Sequence, residues 1–419
     1  MLRRLIEVAG YVVVVVAIVA GITALAPAAL QRTTRVTPPS DSKVVCVPAG
    51  DVGTVYAAAA DGTRTLDGAL TPASGPRRLD EQKTAVVLSG QGVPFGGTLS
   101  GSGAGSTWSS CAPALSRGAL LVPAAADTEL VLVNSDRGDA AVDLTILGQN
   151  GEIRALGARG IAVSANGSRT IALSVLVDVP GPVAVLYSAS RGRVTAITRT
   201  LSPAGGSASV ATAQGPDLLL PGVPAGTTGA VVLLANPGEE RVTAQLQAFG
   251  SGAPYTPAGG ENLSVEAHST LAVSLADALA GEAAALRVSS DAPVVASLVV
   301  GAAVVAPVRA ATQVSFYGPA GGVLQITSPS ATADVEVAVL DADTGETTRS
   351  TQSVPAGATV AMPLPETAAK GQQVTLTAAT EIIAARTQTI DGATLVIPLW
   401  ASGAVGSEPI AAELDPTLR

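Results

Sequence analysis

Aromatic and histidine residues are scarce in this sequence. Its 419 residues include two Trp, five Tyr, three Phe and a single histidine, His268. A Ser-His-Asp or Cys-His centre would therefore have to be built on that one imidazole. Few aromatics also argue against a cleft lined by aromatic platforms, as sugar-processing sites often are. We predict that the chain is not an enzyme and has no catalytic residue, cofactor or metal.

Positive charge is also limited, since 24 Lys and Arg stand against 33 Asp and Glu, a formal net charge of −9. A nucleic-acid partner requires a basic surface that neutralises phosphates, so we expect none. Charged residues make up only 14% of the chain and hydrophobic residues 47%, which excludes disorder over most of its length. The abundance of Val, Gly and Pro favours strands and turns over helices.

The uncharged and strongly apolar stretch at residues 8–30 predicts a transmembrane anchor, because it could span about 30 Å of hydrocarbon as a helix. Residues 1–7 are then a cytoplasmic tail, and the polar, proline-containing residues 31–42 form a stalk. We expect a single-pass cell-membrane protein with its N-terminus inside and its ectodomain outside. A cleaved signal peptide is the alternative, since Ala24-Leu25-Ala26 has a small-x-small pattern, although Pro27 would follow the cut directly.

Two cysteines, Cys46 and Cys111, both lie beyond the predicted anchor. An even number of cysteines in an exported chain predicts a disulfide. Such a bond would close a loop of about 66 residues and stabilise the fold by ~4 kcal/mol through loop entropy. Two thiols and one distant histidine are too few ligands for a zinc site.

The ectodomain contains an internal repeat. One motif of six residues has a threonine first, an alanine third, and apolar residues at the second, fourth and sixth positions. This alternation is typical of a strand, whose side chains have a period of two. It occurs at Thr170–Val175, Thr270–Leu275 and Thr359–Leu364. A short apolar run ending in proline precedes each copy, at Pro123, Pro221 and Pro319, with a spacing of 98 residues. Upstream strands alternate as well and lead to turns such as Asn150-Gly151, which suit hairpins.

This pattern predicts an all-β fold of tandem immunoglobulin-like β-sandwich repeats after one N-terminal helix. We expect the units to lie end to end, with the disulfide segment as a shorter member of the series. A propeller is the weaker alternative, since its blades are shorter. The predicted units are a disulfide-containing β segment at 43–118, repeat 1 at 119–216, repeat 2 at 217–313, and repeat 3 with a C-terminal strand and tail at 314–419.

Several short motifs resemble one family. They are Cys46-Val-Pro48, Trp108-Ser-Ser-Cys111-Ala-Pro113, Asn134-Ser135 and Asn236-Pro237. Together with the N-terminal anchor they resemble an actinobacterial family of unknown function, domain of unknown function fifty-seven nineteen. The resemblance implies an envelope protein, often encoded beside a large membrane glycosyltransferase, and assigns no catalytic residue.

Two motifs could be mistaken for a catalytic or a metal-binding site. His268 stands where the other copies hold Gly167 and Gly357, so we interpret it as a turn residue with positive φ. Asp341-Ala-Asp343-Thr-Gly345-Glu346 is similar to the start of a calcium loop but lacks the later bidentate glutamate. We interpret it as a hairpin turn.

Three further features have plain interpretations. The glycine-rich residues 96–105 lack the Lys-Ser/Thr ending of a phosphate loop, so we expect a flexible loop. The adjacent acids Asp80-Glu81 and Glu239-Glu240 would point to opposite faces of a strand and are interpreted as solvated loop charge. We expect Trp108 to pack on the disulfide, with stacking on a sugar as the alternative.

The leading functional hypothesis is a non-enzymatic, membrane-tethered scaffold or binding protein of the cell envelope, with a protein or glycan partner. A second hypothesis is an accessory subunit of a membrane glycosyltransferase that assembles envelope glycans. A third is a carbohydrate-active hydrolase, which would need two carboxylates held a fixed distance apart. The oligomeric state does not follow from the sequence.

Overall fold

The structure is a computed structural model, and it describes residues 41–401 apart from 60–61, 67, 69–70, 73–74, 92–93, 201–205, 367 and 391. The predicted tail, the anchor at 8–30 and nearly all of the stalk lie outside the described residues, as does the tail after residue 401. Nearly all regular structure in the described part is β-strand, as predicted. Within it, no helix is both long and apolar enough to cross a bilayer.

Four units follow one another along the described chain. The N-terminal unit (41–112) contains a 3-10 turn at Gly103–Gly105 and eight strands. These are β1 (Asp41–Cys46), β2 (Thr54–Ala59), β3 (Gly62–Thr65), β4 (Thr71–Pro72), β5 (Gly75–Asp80), β6 (Val86–Gln91), β7 (Phe95–Ser100) and β8 (Thr107–Ser110). They form two antiparallel sheets with orders β1-β6-β3-β4 and β5-β2-β7-β8.

Repeat 1 (115–212) also has two sheets, with a single helical turn at Leu173–Leu176. Its strands are β9 (Arg117–Val122), β10 (Thr128–Asn134), β11 (Ala140–Gly148), β12 (Gly151–Ile153), β13 (Ile161–Val163), β14 (Gly167–Ala172), β15 (Val183–Arg191), β16 (Thr195–Thr200) and β17 (Ser207–Val210). The sheet orders are β14-β10-β16-β17 and β12-β11-β15-β9, with β13 also paired to β11.

Repeat 2 (215–308) has a 3-10 turn at Ala276–Leu279. Its strands are β18 (Gly215–Val223), β19 (Ala230–Asn236), β20 (Val242–Phe249), β21 (Leu263–Val265), β22 (Ser269–Ser274), β23 (Ala284–Val300) and β24 (Ala303–Val305). The first half of β23 pairs with β18 and β20, and its second half pairs with β19 and β24. One long strand therefore belongs to both sheets.

Repeat 3 (311–401) is built in the same way. Its strands are β25 (Ala311–Gly318), β26 (Val323–Ser328), β27 (Ala333–Asp341), β28 (Thr347–Val354), β29 (Ala358–Pro363), β30 (Gln372–Ile390), β31 (Ala393–Pro398) and β32 (Trp400–Ala401). The long strand β30 passes from the sheet with β25 and β27 to the sheet with β26 and β31.

All four units share one topology. If the strand positions of each unit are lettered A to H in chain order, one sheet always has the order D-C-F-A and the other E-B-G-H. In repeats 2 and 3, positions F and G are fused in β23 and β30. The disulfide segment is therefore a fourth member of the series. The predicted borders at 118/119, 216/217 and 313/314 fall inside strand A of each repeat, in β9, β18 and β25.

Each unit has an apolar core between its two sheets because its strands alternate buried and exposed residues. In strand C, for example, β11 buries Val142, Leu144 and Ile146, and the residues between them are partly exposed. This alternation is what the sequence predicted for one buried and one wet face. The core of repeat 1 combines these side chains with those of the opposite sheet, such as Leu130 and Leu132.

The four units close into a ring, which corrects the expectation of an end-to-end row. The described residues between 41 and 401 form one compact body. At its centre the four H strands follow one another in a cycle, because β8 lies beside β17, β17 beside β24, β24 beside β31, and β31 beside β8 again. Each unit contains two sheets, so the ring also differs from a propeller of single-sheet blades.

The register of repeat 1 differs from the sequence alignment. Strand pairing places Asn134, Asn236 and Ser328 opposite Gly167, Ser269 and Ala358. Gly167, Ser269 and Ala358 each follow a residue with positive φ. Those preceding residues are Asn166, His268 and Gly357. His268 therefore corresponds to Asn166 and not to Gly167. By the same register Ser168, not Thr170, corresponds to Thr270 and Thr359. A slip of two residues keeps the same strand face, so the alternating pattern could not reveal it.

Candidate functional site

A pocket lies where the four units meet. It is small and partly open to solvent, and it is lined by residues from the H strands of all four units together with β32. The lining residues are Trp108, Ser110, Ala208, Ser209, Val210, Val304, Val305, Ala306, Val396, Pro398 and Trp400. This lining is apolar except for two hydroxyls and the two indole N–H groups.

The two tryptophans of the pocket differ in what they can offer a ligand. Trp108 is only 7% exposed and packs against Gly97 and Gly318, where an added Cβ would come within 2.2 and 3.0 Å of its ring. Its Nε1 donates to Ser110 Oγ at 3.3 Å. Trp108 is therefore not free to stack on a sugar. Trp400 is half-buried, and its Nε1 has no hydrogen-bond partner among the described residues.

An aromatic cluster joins the N-terminal unit to repeat 3. Tyr56 lies 5.9 Å from Trp108 and 5.4 Å from Tyr317, measured between ring centroids, with the second pair edge to face. Trp108 belongs to this cluster and not to the one around the disulfide, where the sequence placed it. Burial raises the pKa of both tyrosines, because the charged phenolate would be poorly solvated there. The cluster closes the ring.

Polar contacts at the same seam hold residues 368–371 of repeat 3. Arg78 Nη1 donates to the carbonyl of Ala369 at 2.9 Å, and Tyr317 Oη donates to that of Lys370 at 2.7 Å. The Asp343 carboxylate accepts hydrogen bonds from the backbone N–H groups of Ala369 and Lys370. The first and last units are thus joined by the Arg78–Ala369 hydrogen bond as well as by ring packing.

Arg386 is a buried cation with no carboxylate partner among the described residues. It is fully buried, and its guanidinium donates to the carbonyls of Ala320 and Gly321 and to the Gln388 side chain. Its carbon Cζ lies 5.2 Å above the Phe316 ring. Burial lowers the pKa of Arg386 to about 9. These contacts tie the A–B loop to the core, which is a structural role, and one nitrogen, Nη1, has no hydrogen-bond partner in the described part of the chain.

His268 lies on the surface of repeat 2, as the turn hypothesis predicted. Its φ is 54°, in the left-handed region that glycine and asparagine adopt most readily. Its Nε2 lies 3.0 Å from Glu239 Oε2, and the Glu239 side chain is 91% exposed. The glutamates Glu239 and Glu240 occupy an exposed loop. The imidazole therefore meets an exposed acid, and among the described residues no hydroxyl or thiol forms a hydrogen bond with it.

The acidic motif after β27 forms a hairpin turn. Asp341 Oδ1 accepts the N–H groups of Asp343 and Thr344, while Asp343 caps the chain at residues 369–370. Both carboxylates are thus occupied by backbone donors. Among the described residues, no group of three or more His, Cys, Asp or Glu side chains is placed to hold a metal ion.

The remaining sequence motifs serve the fold. Cys46 and Cys111 form the predicted disulfide, which links the ends of β1 and β8 and so joins the two sheets of the N-terminal unit. Residues 96–100 of the glycine-rich stretch belong to strand β7 and 103–105 form a 3-10 turn, so the stretch is not simply a flexible loop, and Gly97 makes room for the Trp108 ring. Asp80 lies in β5 and binds Thr54 and Arg78, which lowers its pKa, with the Thr54 hydrogen bond as the larger cause.

A pair of buried asparagines explains two further motifs. Asn236 Nδ2 donates to the carbonyls of Glu240 and Val265, and its Oδ1 accepts from the Gly238 N–H. Asn134 makes the same three contacts in repeat 1. Each side chain fixes the B–C loop against strand D, so these motifs mark loop geometry and not a binding site.

The repeat threonines have a role that sequence reasoning missed. Thr270 Oγ1 donates to the Pro182 carbonyl of repeat 1 at 2.9 Å, and Thr359 Oγ1 donates to the Phe249 carbonyl of repeat 2 at 2.6 Å. Both hydroxyls cross a seam between neighbouring units. A polar residue recurring on an otherwise apolar strand was the one signal for this contact.

Comparisons with known proteins give a family and no activity. No curated protein matches the chain. The family of unknown function DUF5719 matches residues 74–365, a span that takes in the end of the N-terminal unit, repeats 1 and 2 and much of repeat 3. Because that span covers well over half of the sequence, the chain belongs to this family.

Proposed function

We propose that the protein is a non-enzymatic, membrane-tethered scaffold of the cell envelope that binds partners through its extracytoplasmic ring. The observation that carries this proposal is the closure of four units by apolar seams, with Tyr56 of the first unit against Tyr317 of the last. A closed ring holds the surface loops of all four units in fixed relative positions. Fixed loops lose little conformational freedom on binding, which favours recognition of a protein or glycan.

The central pocket supports binding over hydrolysis. Its lining has two hydroxyls and two tryptophans but no carboxylate or imidazole. Glycoside hydrolysis generally uses two carboxylates on either side of the scissile bond, and this lining cannot supply them. Trp400 offers the half-buried aromatic surface in the pocket.

The proposal also includes a transmembrane anchor and an immunoglobulin-like fold for each repeat. The uncharged stretch 8–30 is long enough for a single-pass anchor, and the N-terminus is then inside with the ring outside. Each repeat is about 100 residues of two facing antiparallel sheets, which supports an immunoglobulin-like sandwich. Such sandwiches present loops at their ends, where partners bind.

Fractionation and crosslinking of the full chain in its native membrane test the proposal. We expect the protein in the membrane fraction, its ring removed by protease from intact, wall-stripped cells, and at least one envelope component crosslinked to it. His268→Ala should complement a null strain, because the imidazole meets only an exposed acid. A soluble protein that begins near Pro27, or loss of function in that variant at normal protein level, would contradict the proposal.

The identity of the captured component decides between a general scaffold and the accessory-subunit hypothesis. A membrane glycosyltransferase recovered in constant ratio in mild detergent would make the ring its subunit. The ring-opening variant Gly318→Leu tests whether the partner needs the closed ring, since it places a side chain against Trp108, whose ring lies 3.0 Å from the position of a Cβ there. A partner that recognises the closed ring should be lost with this variant and retained with Gly252→Ala, whose Cβ meets nothing within 4 Å.

A further inference from the structure

The edge strands of the ring are covered at three of the four positions. Strand A of each unit pairs with the chain that follows strand H of the same unit, at Val45↔Ala112, Ala119↔Thr212, Leu219↔Val308 and β25 with β32. Strand E of each unit borders the preceding unit in the ring. Hydrogen bonds cross there at Arg78–Ala369, Arg64–Asn166, Thr270–Pro182 and Thr359–Phe249. Strand H faces the central axis. Position D is therefore the one edge that no neighbouring strand or unit covers in the described part of the ring.

Position D is short or interrupted in three units. It is the two-residue strand β4 in the N-terminal unit and two separate three-residue strands, β12 and β13, in repeat 1. In repeat 2 a bridge at Tyr255 and the three-residue β21 replace it. Glycines and prolines fill the gaps, as at Gly157 and Pro257. Natural proteins use such interruptions to keep a free edge from pairing with another chain.

Repeat 3 differs, since its D strand is the continuous eight-residue β28. The strand has no proline, glycine or lysine and consists mainly of Thr and Ser. Its residues are exposed except Gln352 and Val354. The one charge, Arg349, is paired with Glu336 at 3.2 Å, so the edge carries no net repulsive charge. This strand lacks the features that protect edges.

The register shows which backbone groups of β28 are free. Asp341 N–H donates to the Glu346 carbonyl at the start of the hairpin, so that pair is hydrogen-bonded. Bonded and non-bonded pairs alternate along antiparallel strands, so Thr348, Ser350, Gln352 and Val354 bond to β27. The N–H and C=O groups of Thr347, Arg349, Thr351 and Ser353 therefore point away from the sheet. Among these, the Ser353 carbonyl accepts from the Gln352 side chain at 3.0 Å.

We propose that β28 is a strand-addition site whose partner is β28 of a second copy of this chain, paired antiparallel about Ser350. This register joins the free groups of both strands over residues 347–353 and places Arg349 opposite Thr351 of the other copy. Because Thr351 pairs with Glu336, each Arg349 also lies near the other copy's glutamate. A shift of two residues would put Arg349 opposite its own equivalent, which is unfavourable. Both faces of β28 are polar, so an apolar partner strand fits poorly.

A cysteine placed on the two-fold axis tests the register in the full chain. Ser350→Cys brings two thiols directly opposite each other, with Cα atoms ~5 Å apart, within disulfide range. Thr348→Cys is the matched control, because its partner is Gln352 and the two new thiols lie ~13 Å apart. The native cysteines are already bonded to each other. We expect mild oxidation to give a covalent dimer at least tenfold faster with Ser350→Cys than with Thr348→Cys.

A backbone variant tests the strand edge without disturbing the fold. Thr351→Pro removes a free N–H and no bond to β27, so the ring should stay folded while dimer formation falls at least tenfold. Thr351→Val keeps the N–H and should dimerise as the parent does. Folded, monomeric parent protein by light scattering in detergent would overturn the proposal, as would equal crosslinking of the two cysteine variants, or another protein's strand on β28. This inference does not depend on the proposed scaffold function, since dimerisation is measured on purified protein.

Discussion

At the residue scale, the backbone conformation at position 268 explains why a histidine is found there better than a catalytic role does. Asn166, His268 and Gly357 occupy equivalent positions with φ values of 48°, 54° and 72°. The left-handed conformation strains most side chains by ~1–2 kcal/mol, and β-branched residues suffer most. The three residues found at this position are among those that tolerate it best.

We therefore expect His268→Asn to change the free energy of unfolding by less than ~0.5 kcal/mol and His268→Val to lower it by ~1–2 kcal/mol. The His268–Glu239 contact is exposed and should contribute little in either case. Urea denaturation of both variants measures the difference. Equal stability of the two variants would show that the turn does not depend on its backbone conformation.

Buried phenols predict how stability depends on pH. Burial raises the pKa of Tyr187 and Tyr317 above the usual value of 10.0. The unfolded chain then loses phenol protons that the folded chain keeps, so stability is complete below pH ~10 and falls as the pH rises further. Arg386 acts in the opposite direction, because its pKa is lowered by burial.

The Tyr187→Phe variant isolates the phenol contribution. The Tyr187 hydroxyl is buried and has no hydrogen-bond partner among the described residues, so its removal should change stability little at pH 8. The variant should lose less stability than the parent between pH 8 and pH 11, since Arg386 is present in both. Denaturant titrations at the two pH values, with phenolate absorbance as a second readout, measure this. An identical loss in parent and variant would contradict the prediction.

At the element scale, the disulfide joins the two sheets of the N-terminal unit. Cys46 ends β1 and Cys111 follows β8, the strand that also carries Trp108. The bond thereby fixes the strand that closes the ring. We expect Cys46→Ser with Cys111→Ser to lower the free energy of unfolding by ~2–5 kcal/mol and to increase hydrogen exchange in β7 and β8. Unchanged exchange in β8 would mean that the ring seam alone holds this strand.

Much of this element structure follows from the sequence, and its limits have physical causes. Alternation predicted strand C and the hairpin at Thr344-Gly345, because a period of two leaves one face apolar. The same period could not fix register, so Thr170 was aligned with Thr270 in place of Ser168. The fusion of strands F and G in β23 also gave no signal, since a strand that changes sheets keeps alternating.

At the scale of the whole molecule, ring closure depends on contacts that no local pattern encodes. Tyr56 and Tyr317 are separated by most of the chain, and nothing in the 98-residue spacing indicates that the first unit packs on the last. Glycines at Gly97, Gly318 and Gly371 make the close approach possible, because a Cβ there would lie 2.2, 3.0 and 2.9 Å from the nearest ring atom of Trp108 or Tyr56, closer than an ordinary contact. Sequence analysis interpreted Gly97 as part of a flexible loop.

We expect Gly318→Leu to open the seam between the N-terminal unit and repeat 3 while the cores of the repeats remain intact. The new side chain would meet Trp108 and Phe316, whose nearest ring atoms lie 3.0 and 3.2 Å from the position of a Cβ. Hydrogen exchange should rise at β7 and at residues 368–371 and stay unchanged in β19. Gly252→Ala, where a Cβ meets nothing within 4 Å, should behave as the parent does. A closed seam in Gly318→Leu would contradict this role of Gly318.

The contact between the first and last units has a consequence for biogenesis. A ribosome synthesises Tyr56 and Trp108 long before Phe316 and Tyr317, so the partners of the first aromatic pair do not yet exist when that unit emerges. The nascent N-terminal unit must therefore present its most aromatic surface to the surroundings until the final repeat is complete. A chain whose translation or translocation stops early exposes this apolar surface and is prone to aggregate. A holding chaperone would bind such a fragment on the face of β7 and β8.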